Sequence, residues 1–249
     1  MAKHFSNKHL SKKRRREMRE GATAEIIDFQ RSKFSSERAL PPIRPLNPIQ
    51  ADYLDALRTS PQVIVLGPAG TGKTWIAATH AADLLRSGQI DKIILTRPNV
   101  PCGRSLGYFP GKLEEKFAPW TVPITEAIKE RIGRTPYEIA VKRGDIELVP
   151  FEVMRGRSWN NAFVILDEAQ NASLTEIKMF LTRIGEDCTV VINGDVSQCD
   201  LDKESGLRSV IHLIESQMLP VPVVEFTRDH IVRSGVCAMW VRAFSEANL

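Results

Sequence analysis

The sequence predicts a three-layer α/β domain built around a mostly parallel sheet. Short, continuously apolar runs rich in β-branched residues alternate with helical patterns, and a glycine-rich loop joins the first run to its helix. Strands that are apolar on both faces are typical of a parallel sheet covered by helices on both sides. The runs are QVIVLG, DKIILTR, IELVP, AFVILD, CTVVING and VPVVEF, and KTWIAATHAADLLRSG is the clearest helix.

We expect the compact domain to span residues 47–249 and residues 1–46 to form a tail and linker. The stretch FSSERALPPIRPLNP contains four prolines, which forbid a continuous helix. Residues 1–20 hold eight Lys or Arg against two Glu, a balance of +6 in a chain of net charge +4, so the rest sums to −2. This basic tail is either an arm that binds nucleic acid or another polyanion, or a disordered, solubilising leader.

The composition is that of an ordinary globular protein, with 43% hydrophobic and 26% charged residues. No apolar run approaches the roughly 20 residues of a membrane span, and the basic N-terminus lacks the apolar segment of a signal peptide. The cysteines form no C-x-x-C pair, so we expect reduced thiols and a cytoplasmic protein without a cysteine-bound metal. They are Cys102, Cys188, Cys199 and Cys237.

The strongest motif is GPAGTGKT, residues 67–74, which matches G-x-x-x-x-G-K-[ST] at every fixed position. It follows a strand-like run and precedes an amphipathic helix, as this motif requires. Its glycines let successive N–H groups face a polyphosphate. We expect Lys73 to reach the β- and γ-phosphates of ATP and Thr74 to ligate Mg²⁺. The predicted nucleotide-binding residues of the loop are Gly67, Pro68, Ala69, Gly70, Thr71, Gly72, Lys73 and Thr74.

A second acidic motif, DEAQ, follows the run AFVIL. Asp167 falls where a parallel strand leaves the carboxyl edge of the sheet, so we predict that it is the second Mg²⁺ ligand. Glu168 is then suited to polarise a water for attack on the γ-phosphate. A lone Asp-Glu pair more often just ends a strand at the surface, but beside a complete phosphate loop the catalytic interpretation is favoured.

Two glutamines are further candidates. Gln198 follows the run CTVVING in GDVSQ, where its amide is either a sensor of the γ-phosphate and attacking water or part of a turn. Gln50 precedes the first strand and either reads adenine or lies on the surface of a helix. The order of the strands favours the sensor for Gln198, and the two alternatives for Gln50 stay open.

Four blocks of the sequence can be compared with known families: GPAGTGKT, LTRPNVPCGRSLGYFPGKLEEKFAPW, FEVMRGRSWNNAFVILDEAQNAS and VINGDVSQCDL followed by SGL. Taken together, they resemble the PhoH family, a RecA-like ATPase group similar to the ATP-binding half of superfamily 1 helicases. The resemblance covers residues 47–243 and implies an ATP-hydrolysing core tied to RNA metabolism, with helicase activity proposed for the family. The chain departs from the family in having TRDHIVRS where an acid-rich turn usually precedes V-R-H.

The second of these blocks mixes cations with aromatic rings in a Gly/Pro-rich loop, a combination that binds single-stranded nucleic acid. Packing of the rings on the domain is the alternative. Its residues are Arg104, Tyr108, Phe109, Lys112 and Trp120, and the same two interpretations apply to Arg155 and Arg157.

Three functions are compatible with these features. The first is an ATPase coupled to single-stranded RNA or DNA, including helicase or translocase activity. The second is a regulatory ATP switch that docks a ribonuclease or another partner without unwinding. The third, a small-molecule kinase, is less favoured because no lid is evident and the acidic pair with a polar sensor suits attack by water.

We also expect a homo-oligomeric ring. Helicases with this kind of core complete the nucleotide site with an arginine from a second domain, and the sequence after Asp167 is expected to finish one sheet only. The missing cation would then come from another copy, and a head-to-tail interface that closes forms a ring, a hexamer by the family resemblance. Arg233 is the predicted donor and Arg228 the second choice; a structural salt bridge is the alternative for either.

Overall fold

A computed structural model describes residues 41–98, 121–151, 154–196, 198, 205–232 and 239–240. Its α-helices within these ranges are α1 Pro48–Thr59, α2 Lys73–Ser87, α3 Val122–Ile132, α4 Arg134–Arg143, α5 Leu174–Leu181 and α6 Gly206–Gln217. Its strands are β1 Gln62–Leu66, β2 Lys92–Thr96, β3 Ile146–Leu148, β4 Ala162–Leu166, β5 Thr189–Gly194 and β6 Val223–Glu225. Short 3₁₀ turns cover Ala169–Asn171 and Arg228–His230.

The six strands form one sheet in the order β3-β2-β4-β5-β1-β6, and each described pairing is parallel. All six apolar runs therefore form strands as predicted. Leu66 at the end of β1 pairs with Gly194 at the end of β5, and Thr96 at the end of β2 pairs with Leu166 at the end of β4. Because these strands end at the same level, the residues that follow them meet at one edge of the sheet.

The four central strands, β1, β2, β4 and β5, are buried on both faces, which confirms the predicted three layers. Side chains of consecutive strand residues point to opposite faces, so Val63 and Val65 join one core cluster while Ile64 and Leu66 join the other. The first cluster includes residues of α1, α2, α3 and α4, and the second includes residues of α5 and α6. The continuous apolar runs thus supply two cores, one on each side of the sheet.

Local sequence explains where the helices begin and end. The side chain of Asn47 accepts a hydrogen bond from the N–H of Gln50 at the start of α1, where Pro48 occupies the first turn. A reciprocal capping box of Ser173 and Glu176 starts α5. By contrast, α2 starts without a side-chain cap, so no capping side chain occupies the N–H groups of its first turn, where the phosphate loop ends. No helix in the described ranges is both long and apolar enough to cross a membrane.

Candidate nucleotide-binding site

The loop between β1 and α2 has a backbone that depends on glycine. Gly67 has a φ of +131°, and a Cβ atom there would lie 2.3 Å from the carbonyl oxygen of Phe226. Gly72 has a φ of +92°, and its Cβ would lie 3.0 Å from Nε2 of Gln50. Larger residues at either position would be strained and would displace a neighbour. The glycines of GPAGTGKT therefore let the loop curl between β6 and α1.

Lys73 holds the inner side of this loop. Its ammonium group donates to the carbonyl oxygens of Gly67, at 2.5 Å, and Pro68, at 2.9 Å. Burial lowers the pKa of Lys73, while the negative charges of Asp195, Asp167 and Glu168 act in the opposite direction. The cation thus sits where the curled backbone and the carboxyl edge of the sheet face each other, in position to meet an anion.

Thr74 and Asp167, 93 residues apart in sequence, are in direct contact. The hydroxyl of Thr74 donates to Oδ1 of Asp167 at 2.8 Å. Asp167 is 6% exposed. Burial raises its pKa, the neighbouring Glu168 adds to that rise, and the hydrogen bond from Thr74 opposes it. The first turn of α2 and the end of β4 therefore bring together a hydroxyl and a carboxylate, the oxygen ligands that Mg²⁺ prefers.

A third polar group reaches the same point from β5. Nδ2 of Asn193 lies 3.4 Å from Oδ1 of Asp167. The other amide atom, Oδ1 of Asn193, is buried and accepts no hydrogen bond from any residue that the structure describes. An unpaired buried oxygen is costly unless water or a ligand satisfies it. This feature and the hydroxyl–carboxylate pair fit the hydrated Mg²⁺ of a bound nucleotide.

Glu168 adopts a backbone conformation that is rare for its residue type. Its φ of 54° and ψ of 41° are left-handed, which costs about 1–3 kcal/mol for a residue other than glycine. Its side chain is 39% exposed, and Oε1 lies 4.0 Å from Nη2 of Arg97 at the end of β2. Oε2 accepts a hydrogen bond of 2.6 Å from Nε2 of Gln170. The left-handed backbone thus directs the side chains of Asp167 and Glu168 differently. Arg97 and Gln170 contact the Glu168 carboxylate.

Gln198 lies in the turn after β5. Its backbone N–H donates to the carbonyl of Asp195 at 3.0 Å, and the residue is exposed. Since β5 ends at the same edge as β1, this turn belongs to the side of the sheet that carries the phosphate loop. Contact of the Gln198 amide with a γ-phosphate remains a prediction.

Gln50 is buried against the phosphate loop. It is 4% exposed, so the alternative of a surface position is wrong. Its Nε2 donates to the carbonyl of Thr71 at 3.0 Å, and its Oε1 accepts from the N–H of Leu46 at 2.8 Å. The amide therefore braces the loop against α1. Recognition of adenine by Gln50 remains a prediction.

The chain after β6 also reaches the phosphate loop. The N–H of Val232 donates to the carbonyl of Gly70 at 2.9 Å. Arg228, the second candidate arginine, is exposed in the 3₁₀ turn between β6 and this contact. Arg233 lies outside the described residues, although it directly follows Val232 in sequence. The backbone thus reaches the chain's own loop one residue before the first candidate arginine.

The candidate nucleic-acid residues are only partly described. Residues 1–40 and 99–120 lie outside the described ranges, and the second of these segments includes Arg104, Tyr108, Phe109, Lys112 and Trp120. Arg155 is exposed. Nη1 of Arg157 contacts Oε2 of Glu147 at 3.0 Å, which favours a structural ion pair for Arg157.

Three site residues were not singled out as functional by the sequence: Arg97, Gln170 and Asn193. Asn193 is a polar residue inside the apolar run CTVVING, a signal that could have been noticed. Gln170 lies two residues after Glu168, but nothing in the sequence gives the direction of its amide.

A separate open groove of about 1380 Å³ lies at the opposite, amino edge of the sheet and is lined in part by His80, Asp83 and Arg131.

An α/β domain whose phosphate loop meets an aspartate at the end of another strand is a P-loop nucleotide-binding domain. The family model described as PhoH-like protein matches residues 42–245. The chain therefore belongs to the PhoH-like family, as the sequence motifs indicate.

Curated relatives support the same family. The chain is 41% identical over 208 residues to Protein PhoH of Escherichia coli strain K12, covering 82% of this chain and 58% of that protein. It is 41% identical over 201 residues to the PhoH-like protein of Bacillus subtilis strain 168, covering 80% and 63%. The chain thus spans about three fifths of the length of these relatives.

Solved structures that resemble the fold are more distant. The crystal structure of the Pif1 helicase from Candida albicans has a TM-score of 0.38 at 15% identity, covering 74% of this chain and 40% of that one. Bacteroides Pif1 bound to single-stranded DNA has a TM-score of 0.34 at 14% identity, covering 74% and 42%.

The contacts of Gln50 generate a test of its role. Gln50→Ala removes the hydrogen bond to Thr71, and such a bond contributes about 0.5–1.5 kcal/mol, or roughly 2- to 10-fold in affinity. Because Nε2 and Oε1 of this amide are both engaged by the chain itself, we expect weaker binding of both Mg-ATP and Mg-GTP by a similar factor, measured by titration calorimetry. Gln89→Ala, at an exposed glutamine, is the matched control. A loss confined to ATP would instead show that Gln50 reads adenine.

Proposed function

We propose that this protein hydrolyses ATP with Mg²⁺ and couples hydrolysis to binding of single-stranded RNA or DNA. The observation that carries the ATPase proposal is the 2.8 Å contact between Thr74 and Asp167. It joins the phosphate loop to an acidic strand end, and Lys73 and Glu168 are the sequence neighbours of its two residues. The P-loop class and the family support nucleotide binding, and hydrolysis is the further step.

The geometry supports a role for three residues in holding the ligands of this proposed site. When a nucleotide is bound, Lys73 would donate hydrogen bonds to its β- and γ-phosphates as well as to the loop carbonyls. Thr74 and Asp167 would hold Mg²⁺. When bound, Mg²⁺ neutralises charge on the β- and γ-phosphate oxygens. The raised pKa of Asp167 reflects an unfavourable buried charge, which a nearby cation would stabilise.

Glu168 is the proposed general base. As the oxygen of a water attacks the γ-phosphorus and the bond to ADP breaks, the Glu168 carboxylate accepts a proton of that water. Gln198 is proposed to hydrogen-bond the γ-phosphate or the water. Its turn begins at the end of β5, beside β4, so both side chains belong to the same edge of the sheet.

The proposed nucleic-acid coupling is supported by sequence rather than by described contacts. Residues 1–20 have a charge balance of +6, the sequence that follows β2 mixes cations and rings, and Arg155 is exposed. Cations that neutralise phosphates and rings that stack on bases are the two parts of a single-strand site. A partner-docking switch would lack stimulation by such polymers, so the two functions make different predictions.

An arginine completing the site is the last part of the proposal. The sequence predicts that Arg233 of a neighbouring copy supplies this cation, with the exposed Arg228 as the second choice. Arg233 lies outside the described residues, so its role is proposed from the sequence. Assembly into a homo-oligomeric ring, such as a hexamer, is part of the same prediction.

Two substitutions test the nucleotide chemistry. Lys73→Ala should abolish tight ATP binding because it removes the partly buried cation of the loop. Glu168→Gln should keep binding and lower turnover by about 10²- to 10⁴-fold, the usual contribution of a general base. Nucleotide titration and phosphate release measure the two effects, with Lys178→Ala and Glu215→Gln as exposed controls. Turnover of Glu168→Gln at the parent rate would refute the base assignment.

Turnover with single-stranded RNA, single-stranded DNA and no polymer tests the coupling. We expect stimulation by at least one polymer; equal rates would favour the partner-docking switch.

Deleting residues 1–20 should make the fall of log affinity for the polymer with log salt shallower, because each cation that neutralises a phosphate adds to that slope. ATP turnover without polymer should persist in the deletion variant. An unchanged slope would show that the tail does not contact the polymer.

Mixed subunits test where Arg233 acts. Chains carrying Lys73→Ala retain Arg233, and chains carrying Arg233→Ala retain an intact phosphate loop. If the arginine of a neighbouring copy serves each loop, mixing the two should recover turnover beyond the sum of the separate proteins. No recovery on mixing would contradict donation by a neighbouring copy, and sedimentation of the same samples would show whether they form a ring.

A further inference from the structure

Gln170 connects two parts of the site that approach from different strands. It lies in the 3₁₀ turn that follows β4 and is 2% exposed. Its Nε2 donates to Oε2 of Glu168 at 2.6 Å, and its Oε1 accepts from the backbone N–H of Asp195 at 3.0 Å. One buried amide therefore joins the proposed base to the first residue after β5.

The chemistry of the two partners fixes the orientation of this amide. The N–H of Asp195 can only donate, and the ionised carboxylate of Glu168 can only accept. An amide has both a donor and an acceptor, so it satisfies both partners in one orientation only. A carboxylate at position 170 could accept from Asp195 but could not donate to Glu168, and an apolar side chain could do neither.

The end of β5 is shaped to receive Gln170. A Cβ atom added at Gly194 would lie 3.2 Å from Oε1 and 3.3 Å from the backbone nitrogen of Gln170, and 2.4 Å from Leu207. The turn that begins at Asp195 continues to Gln198, whose N–H returns to the Asp195 carbonyl at 3.0 Å. A chain of three hydrogen bonds thus runs from Glu168 to the turn that carries Gln198.

We infer that Gln170 is a positioning residue that holds the Glu168 carboxylate in its catalytic direction and keeps it in register with the turn carrying Gln198. The inference rests on the proposed role of Glu168 as general base. Gln170 itself touches no reacting atom. It acts by fixing one of the two carboxylate oxygens of Glu168, which leaves the other free to face water and Arg97.

Two substitutions separate the two contacts. Gln170→Glu keeps an acceptor for Asp195, and so preserves that link, but places a carboxylate against Glu168. Gln170→Leu removes both contacts. We expect each variant to lower kcat by about 10- to 100-fold, the effect of misplacing a catalytic group by about 1 Å. Affinity for Mg-ATP should stay within about threefold, because the substitutions leave the phosphate loop unchanged. Gln89→Leu is the matched exposed control.

A double substitution shows whether Gln170 acts through Glu168. In single-turnover measurements, Gln170→Glu should cost no more than about twofold in a Glu168→Gln background, since residues that act as a unit are not additive. A parent-like kcat in both single variants would overturn the inference. It would also be overturned if Gln170→Glu lowered the rate by the full 10- to 100-fold in the Glu168→Gln background. Failure of the proposed function is seen separately, as parent-like turnover of Glu168→Gln alone.

Discussion

The site depends on burying opposite charges at one edge of the sheet. Lys73 loses hydration in the phosphate loop, which lowers its pKa, and Asp167 loses hydration at the end of β4, which raises its pKa. Each charge is costly alone and less costly near the other. The hydrogen bond from Thr74 to Asp167 holds α2 and β4 at the distance where this compensation works. A nucleotide with its metal would add charges of both signs to the same place.

The phosphate loop keeps its shape because other elements brace it from outside. Gln50 on α1 binds the carbonyl of Thr71, and the backbone of Val232 binds the carbonyl of Gly70. The carbonyl of Phe226 occupies the space that a side chain at Gly67 would need. These contacts turn two loop carbonyls outward, which agrees with a loop whose N–H groups serve an anion. Preorganisation of this kind reduces the ordering cost of binding.

Polar side chains reach the site from several strands that are far apart in sequence. Asp167 and Glu168 follow β4, Arg97 follows β2, and Asn193 lies near the end of β5. The parallel register aligns these strand ends, while both cores lie along the strands themselves. Stability and chemistry are therefore carried by different parts of the same strands.

The sequence alone determined the strands, the three layers, the phosphate loop and the family, because periodicity and contiguous motifs are local properties of the chain. It also indicated that Thr74 and Asp167 would meet. Thr74 follows the loop after one strand and Asp167 follows another strand, and parallel strands end at a common edge of the sheet. Only the tertiary structure decided that Gln50 is buried against the loop, that Arg157 pairs with Glu147, and that the segment before Arg233 returns to Gly70. The direction of the Gln170 amide was likewise hidden, because its two partners are set by the packing of β4 beside β5. Side-chain amides and surface arginines have several possible partners, and their choice is made by long-range packing that no local pattern encodes.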